Sequence, residues 1–536
     1  MFKISMALFK VKKYVSMMLA ITMSVITTMG LPIAWRGVYD SLTQYVSYSF
    51  YDSTQKVQKD ELITRRADYT MHLAKNETEA CQIAFRMRMT KDVTVQLTDF
   101  KDENGNILES EIYEEYYVET TGDPYYGEYP DAIVPAEGKT LKMRKEKNKL
   151  FYISVKSKSD THAGTYKANI ILTGPEDRSS ITVPVSAVVW NFTLPRTPSC
   201  QTAMGLDHHY IAEKFGVADD IEKTLRLYRK FYDFLVEHKI SPYYLPVDIL
   251  SDEADKYMSD PRITSFVIPY SNDDTLLQRY YAKVTSNRTW EAKGFFYPID
   301  EPSDEEAYSR YLEITQRLER LCPGYNMVTP FFKNKIDMGG EEQTSVNLQR
   351  GHSNIICPIS ELYDEQGFKE SVLERKAQGD KSWWYVCCGP KGDYCNLFVH
   401  WEGIRHRILF WQQKDNNVDG LLYWSTSYWK DVEDIWESSW TTPWTGDDTF
   451  GDGSLLYNGN KVGIDGPVSS LRLEAVTDGI EDFEYLTIAQ QLFGEKYVSN
   501  IIDKVTTSLT DYTMSDKTFA NVRTELGNAI NNEMNK

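Results

Sequence analysis

The feature that most limits how this chain folds is a change of rhythm after Pro195-Arg196-Thr197-Pro198. Closely spaced prolines hold a backbone extended, so the stretch reads as a linker. Beyond it, short apolar runs alternate with helical patterns. Strand candidates fall at 202–206, 243–247, 263–268, 294–299, 326–332, 354–359, 382–386 and 420–424, and helices fit 221–238, 274–284, 305–321, 367–377 and 403–413. Parallel strands need crossovers, and closure removes sheet edges. Eight alternating units therefore predict a (β/α)8 TIM-type barrel. Its last helix is expected over 468–492, beyond an insertion from Trp429 to Pro467, and the barrel domain spans 199–495. Residues 496–536 read as a helical tail packed outside.

The 41–198 segment has a period of two instead. Cys81-Gln82-Ile83-Ala84-Phe85-Arg86-Met87 and Val93-Thr94-Val95-Gln96-Leu97-Thr98 alternate, and Asp102-Glu103-Asn104-Gly105-Asn106 supplies turn chemistry between strands. Several short alternating strands without a helix predict a β-sandwich. The loop Tyr125-Tyr126-Gly127-Glu128-Tyr129-Pro130-Asp131 is aromatic and acidic, suited to a domain interface or to reaching a neighbouring site. Residues 1–40 read as targeting: Lys3, Lys10, Lys12 and Lys13 precede an apolar run from Tyr14 to Leu31. That pattern predicts a signal peptide or an uncleaved membrane anchor, and a secreted or cell-surface protein.

The fourth strand candidate carries the chemistry. Gly294-Phe295-Phe296-Tyr297-Pro298-Ile299 runs into Asp300-Glu301-Pro302, and a helix follows with Ser303 as its expected N-cap. A strand, two acids at its carboxyl end and then a helix is how a barrel presents catalytic groups, although an acidic helix cap has the same composition. Other strand ends add Asp207, His208 and His209, then Glu361 and Tyr363, then Cys387, Cys388 and Asp393, then Trp424, Ser425, Tyr428 and Trp429. Trp383, Trp384 and Tyr385 lie on the seventh strand, and Trp383, Trp384 and Trp424 are candidates for a wall under a sugar ring.

A rim of acids and aromatic rings suits neutral polyhydroxylated ligands, because sugar faces stack on rings and hydroxyls bond carboxylates. The charge points the same way. Lys+Arg 59 against Asp+Glu 78 gives −19, with no basic concentration able to follow a phosphate backbone, so nucleic acid is excluded as a partner. No cofactor loop and no metal constellation is expected. His208 and His209 are adjacent, which in a strand points them to opposite faces, and one polar contact from His208 is the expectation. Asp447, Asp448 and Asp452 sit in a Gly-rich loop that lacks the EF-hand spacing. The seven cysteines do not form a disulfide framework. Zinc at Cys387-Cys388 would need further ligands, and a bond between neighbours would be strained.

Phe296-Tyr297-Pro298-Ile299-Asp300-Glu301-Pro302 resembles the catalytic segment of glycoside hydrolase family 123. The resemblance continues in Cys357-Pro358-Ile359-Ser360, Asp419-Gly420-Leu421-Leu422-Tyr423-Trp424 and Gly451-Asp452-Gly453-Ser454-Leu455-Leu456-Tyr457. It runs on through Gly466-Pro467-Val468-Ser469-Ser470-Leu471-Arg472 to Asp478-Gly479-Ile480-Glu481-Asp482, covering roughly residues 60 to 495. The family implies a retaining β-N-acetylgalactosaminidase acting by substrate assistance, with Glu301 as general acid/base and Asp300 orienting the 2-acetamido group. This is chemically coherent, since the acetamido oxygen attacks the anomeric carbon and no protein nucleophile is needed. Tyr297 is placed to bond the acetamido carbonyl or to pack in the barrel, and Tyr457 to reach the pocket. For Arg472 an internal salt bridge is the simpler expectation. Two alternatives stay open: another glycoside attacked by Asp207 or Glu361, and a sugar-binding surface protein without turnover.

Overall fold

The computed structural model describes residues 45–63, 66–120, 126–174, 179–430, 432–437 and 448–536. The expected targeting segment 1–40, Tyr125 of the aromatic loop and Asp447 lie outside these residues. No described helix is long and apolar enough to cross a membrane.

The N-terminal region is rich in strands. Val46–Asp52, Thr78–Met87, Asn148–Lys156, Ile107–Thr120 and Gly127–Pro135 pair antiparallel in that spatial order. A second ladder runs from Lys91–Leu97 through Gly164–Thr173 to Ser180–Thr193, with Thr70–Lys75 parallel at its far side. Alternate residues of Ser180–Thr193 are buried, as a strand with one dry face requires. Phe50, Ile83 and Phe151 from the first ladder share one core with Ile170, Val183 and Val185 from the second. The sheet extends past the linker, because Pro467–Ser470 pairs with Gly127–Pro135 through Ser469↔Ile133 and Ser470↔Ala132.

Past the linker, five parallel strands form one sheet in the order Gln201–Met204, Gly420–Tyr423, Lys381–Val386, Ile355–Pro358, Val328–Phe331. Phe266–Val267 and Gly294–Phe295 make a separate parallel pair. The regular ladders thus form a half-barrel and a two-stranded piece, in place of the continuous closed (β/α)8 ladder expected from the sequence. Single contacts span the gaps: bridges at Met204↔Pro242 and Phe296↔Met327, and a bond from Val267 N–H to the Tyr243 carbonyl at 2.8 Å. The strand expected at 243–247 does not form, because Pro242 and Pro246 lack the amide donors a ladder needs.

The helices match their apolar periodicity more closely. Ile221–Glu237, Asp274–Thr285, Glu305–Leu321, Phe368–Ala377 and Gly403–Asp415 fall where the pattern put them. The first buries Leu227, Tyr228, Phe231, Tyr232 and Leu235 on one face. The helix after the acidic pair is capped by Asp304, whose Oδ1 accepts the Ala307 N–H at 2.8 Å, and not by Ser303. Leu471–Phe493 is buried nearly all round. The tail does more than cover the barrel. Its helix Asp516–Met534 sends buried Arg523 to Asp482 and Glu77 and to the His72 carbonyl, tying the strand-rich region to the helix Leu471–Phe493.

Candidate active site

The regular strand that feeds the acidic pair ends at Phe295, and Pro298 and Pro302 bracket an irregular segment. Strand alternation would turn neighbouring carboxylates to opposite faces. Glu301 escapes this with φ of +44°, a left-handed conformation that costs a non-glycine residue roughly 1–3 kcal/mol and clusters at functional sites. Both carboxyls then act on the same ground. The buried Cys357 thiol, on Ile355–Pro358, feels the charge of Asp300 and of Glu301.

Each acid is held by a tyrosine. Tyr297 Oη donates to Asp300 Oδ1 at 2.7 Å, and Tyr385 Oη donates to Glu301 Oε1. Burial and the adjoining carboxylates keep both phenols protonated, with pKa values well above 10.0. The Asp300 carboxyl is raised above its ordinary value of 3.8 by desolvation, which the Tyr297 bond opposes. Asp300 is nonetheless open to solvent, so it is accessible yet ringed by protein, as in a depression. Glu301 is raised above 4.5 by desolvation first and by Asp300 second, against the Tyr385 bond. Two acids that share a space push at least one toward its neutral form. Tyr243 adds a third phenol, edge-on to Tyr297 at 5.8 Å and donating to the Tyr423 carbonyl at 3.1 Å.

An aromatic wall continues from there. Trp424 is half-buried and donates its indole N–H to Asp452 Oδ1 at 2.9 Å. Tyr428 lies 4.8 Å from the Trp424 ring, and Tyr210 stands edge-on to Tyr428 at 5.1 Å. Behind the wall, buried Arg472 donates to both Asp131 oxygens and to the carbonyls of Leu397, Gly451 and Ser454. This internal salt bridge links the strand-rich region to the turn that carries Asp452.

Several expected site residues stand elsewhere. Trp383 is buried at the far end of its strand, against Phe295 at 5.3 Å and Gln201 at 3.2 Å, and Trp384 is buried on the opposite strand face against Tyr363. Both belong to the core, so the wall keeps only Trp424 of the three tryptophans, and Tyr385 alone of its strand reaches the acids. Tyr457 also misses the pocket, because its pairing with Val468 turns the hydroxyl into the core, where it donates to Asp131 Oδ2 at 2.7 Å. His208 is exposed at the start of the helix His208–Lys214, its ring edge-on to Tyr228 at 6.0 Å. Asp207 caps that helix, accepting the His209 N–H at 3.0 Å. Sequence alone does not single out Tyr243 or Asp452, since one lies in an expected strand and the other in a Gly-rich loop without a ligand spacing.

No described group of three or more His, Cys, Asp or Glu side chains is placed to hold a metal ion. Asp448 pairs with Lys391 while Asp452 turns inward to Trp424, so these two described aspartates do not converge. All seven cysteines are free, and the Cys387 and Cys388 sulfurs are 3.6 Å apart.

Two tyrosine-held carboxyls raised by burial, beside an aromatic wall at the carboxyl ends of parallel strands, are the groups glycoside hydrolysis calls for. Residues 280–489 match the family model "Glycoside hydrolase 123, catalytic domain". Its structure is similar to that of a family 123 glycoside hydrolase from Clostridium perfringens, solved to detail glycolipid glycan hydrolysis. The TM-score is 0.67 at 15% identity, over 91% of this chain and 98% of that one. A putative β-galactosidase from Bacteroides fragilis superposes at TM-score 0.30 and 9% identity, over 81% of this chain and 60% of that one, too loosely to carry any argument. No curated protein matches the sequence.

Proposed function

We propose that this glycoside hydrolase removes terminal β-linked N-acetylgalactosamine by substrate-assisted hydrolysis with retention of configuration. The observation that carries the reading is the pairing of Asp300 with Tyr297 and of Glu301 with Tyr385 over one space. In the first step the 2-acetamido oxygen attacks the anomeric carbon. The glycosidic C–O bond breaks, and Glu301 passes its proton to the leaving oxygen. Desolvation and the neighbouring Asp300 raise the Glu301 carboxyl, which favours the protonated form this step needs. Asp300 accepts the acetamido N–H and offsets charge on the oxazolinium ion, while the Tyr297 hydroxyl fixes its orientation. Glu301 then takes a proton from water, which attacks the same carbon and opens the ring. Trp424 and Tyr428 supply the surface for the sugar's apolar face.

Attack by Asp207 is the weaker reading, because that carboxylate is engaged as a helix cap. The lysines and apolar run of residues 1–40 support export, with the segment cleaved or kept as a tether. The Clostridium perfringens relative makes glycolipid glycans one substrate class to try.

The test is hydrolysis of chromogenic β-GalNAc, β-GlcNAc and β-galactoside substrates. Turnover of β-GalNAc alone, inhibited by a thiazoline mimic of the oxazoline, is the expected result. Turnover of the β-galactoside, which has no acetamido group, refutes substrate assistance.

A further inference from the structure

One carboxyl near the wall is not used by the mechanism. Asp452 is 1% exposed, in the turn between Gly451 and Ser454. Its Oδ1 accepts the Trp424 indole N–H at 2.9 Å and the Tyr423 hydroxyl at 3.3 Å, whereas Oδ2 has no hydrogen-bond partner. Burying a carboxyl with one oxygen unsatisfied costs stability, so the position calls for an explanation other than packing.

The surroundings supply it. Gly453 has φ of +71°, and a Cβ there would lie 2.2 Å from Trp424 Cζ2. The turn therefore presses on the benzo edge of the indole while Asp452 holds its pyrrole N–H. Two adjoining contacts, at Nε1 and at Cε2/Cζ2, pin one edge of the ring to the turn. The turn itself cannot relax, because Arg472 binds the Gly451 and Ser454 carbonyls and is anchored by Asp131. Tyr428 closes on the ring at 4.8 Å.

We propose that Asp452 is a positioning residue: through the indole N–H it fixes Trp424 as the platform on which the sugar ring lies. For its substrate the inference rests on the reading of the enzyme as a 2-acetamido glycosidase. For its geometry it does not. Desolvation pushes the Asp452 carboxyl up to about 7. Asparagine imitates the protonated form and keeps an acceptor for the indole, whereas leucine has the shape and no acceptor.

The experiment compares Asp452→Leu, Asp452→Asn, Trp424→Phe and the Asp452→Leu/Trp424→Phe double variant. With an aryl β-N-acetylgalactosaminide, Asp452→Leu should raise KM about tenfold, the effect of one lost hydrogen bond, and leave kcat within about threefold. Asp452→Asn should restore most of the KM, and the double variant should be no worse than Trp424→Phe. The near-ultraviolet circular dichroism of Asp452→Leu should lose the band that Trp424→Phe loses, a readout that needs no substrate. An unchanged KM in Asp452→Leu, or effects that add in the double variant, overturns the proposal. So does an Asp452→Asn variant as impaired and as destabilised as Asp452→Leu, since a purely structural carboxyl would behave that way. If the dichroism arm holds while the wild-type protein turns over no 2-acetamido sugar, the substrate reading fails and the positioning of Trp424 stands.

Discussion

Replacing Arg472 by methionine tests whether its buried pair with Asp131 holds the turn that carries Asp452. Arg472 and Asp131 are buried, with side chains 2% and 0% exposed. Burial alone would raise the Asp131 carboxyl, but Arg472 outweighs it and holds the group below its ordinary 3.8. Methionine removes the charge and strands a buried carboxylate whose remaining direct donor is the Tyr457 hydroxyl at 2.7 Å. Breaking a buried pair from one side costs about 3–5 kcal/mol. The carbonyls of Leu397, Gly451 and Ser454 lose the same donor, at about 1 kcal/mol each. The loss comes to about 6–8 kcal/mol, against a total stability of roughly 5–15 kcal/mol for a folded protein. Equilibrium urea unfolding followed by tryptophan fluorescence measures it. Replacing Asp131 by leucine as well removes the stranded charge and should recover about half of the loss. A single-variant cost under about 2 kcal/mol, or a double variant as unstable as the single, would refute the argument that this buried pair holds the turn.

Asp300→Asn and Glu301→Gln should each lower kcat by about 10²–10⁴-fold with unchanged thermal unfolding, and full activity in either variant sinks the assignment. The rate should be bell-shaped in pH. Asp300 must be ionised and Glu301 protonated, and both are raised, so the acid limb lies above 3.8 and the basic limb above 4.5. Tyr385→Phe removes a bond that favours the Glu301 carboxylate, so it should move the basic limb to higher pH; a shift the other way contradicts the assignment. Away from the site, His238 and Glu474 pair at 3.0 Å. Burial would lower His238, but Glu474 outweighs it and raises the imidazole, while His238 holds Glu474 below 4.5 against its own burial. The pair therefore stabilises in full between about pH 4.5 and 6.5, the unfolded values. The contribution is lost as pH rises through the raised His238 value or falls through the depressed Glu474 value. His238→Gln should remove the alkaline part of that loss from a plot of Tm against pH, and an unchanged slope speaks against the pair.

Local patterns decided much of this protein from the sequence. The helices Ile221–Glu237 and Glu305–Leu321 follow from apolar periodicity, which is a property of neighbours along the chain. Asp300 and Glu301 stand out as candidates because a strand that stops at two acids and a proline is itself a local pattern. Ladder pairing was not local. The expected strand at 243–247 is a single bridge at Pro242, since whether an extended segment joins a sheet depends on donors and on partners distant in sequence. The tryptophans divide for the same reason. Trp383, Trp384 and Trp424 look alike in sequence, but strand face and height decide that two are core and one is wall. The left-handed turn at Glu301 and the grip of Asp452 on Trp424 exist only once eight segments are brought together. Their geometry is set by contacts that have no signature in the order of residues.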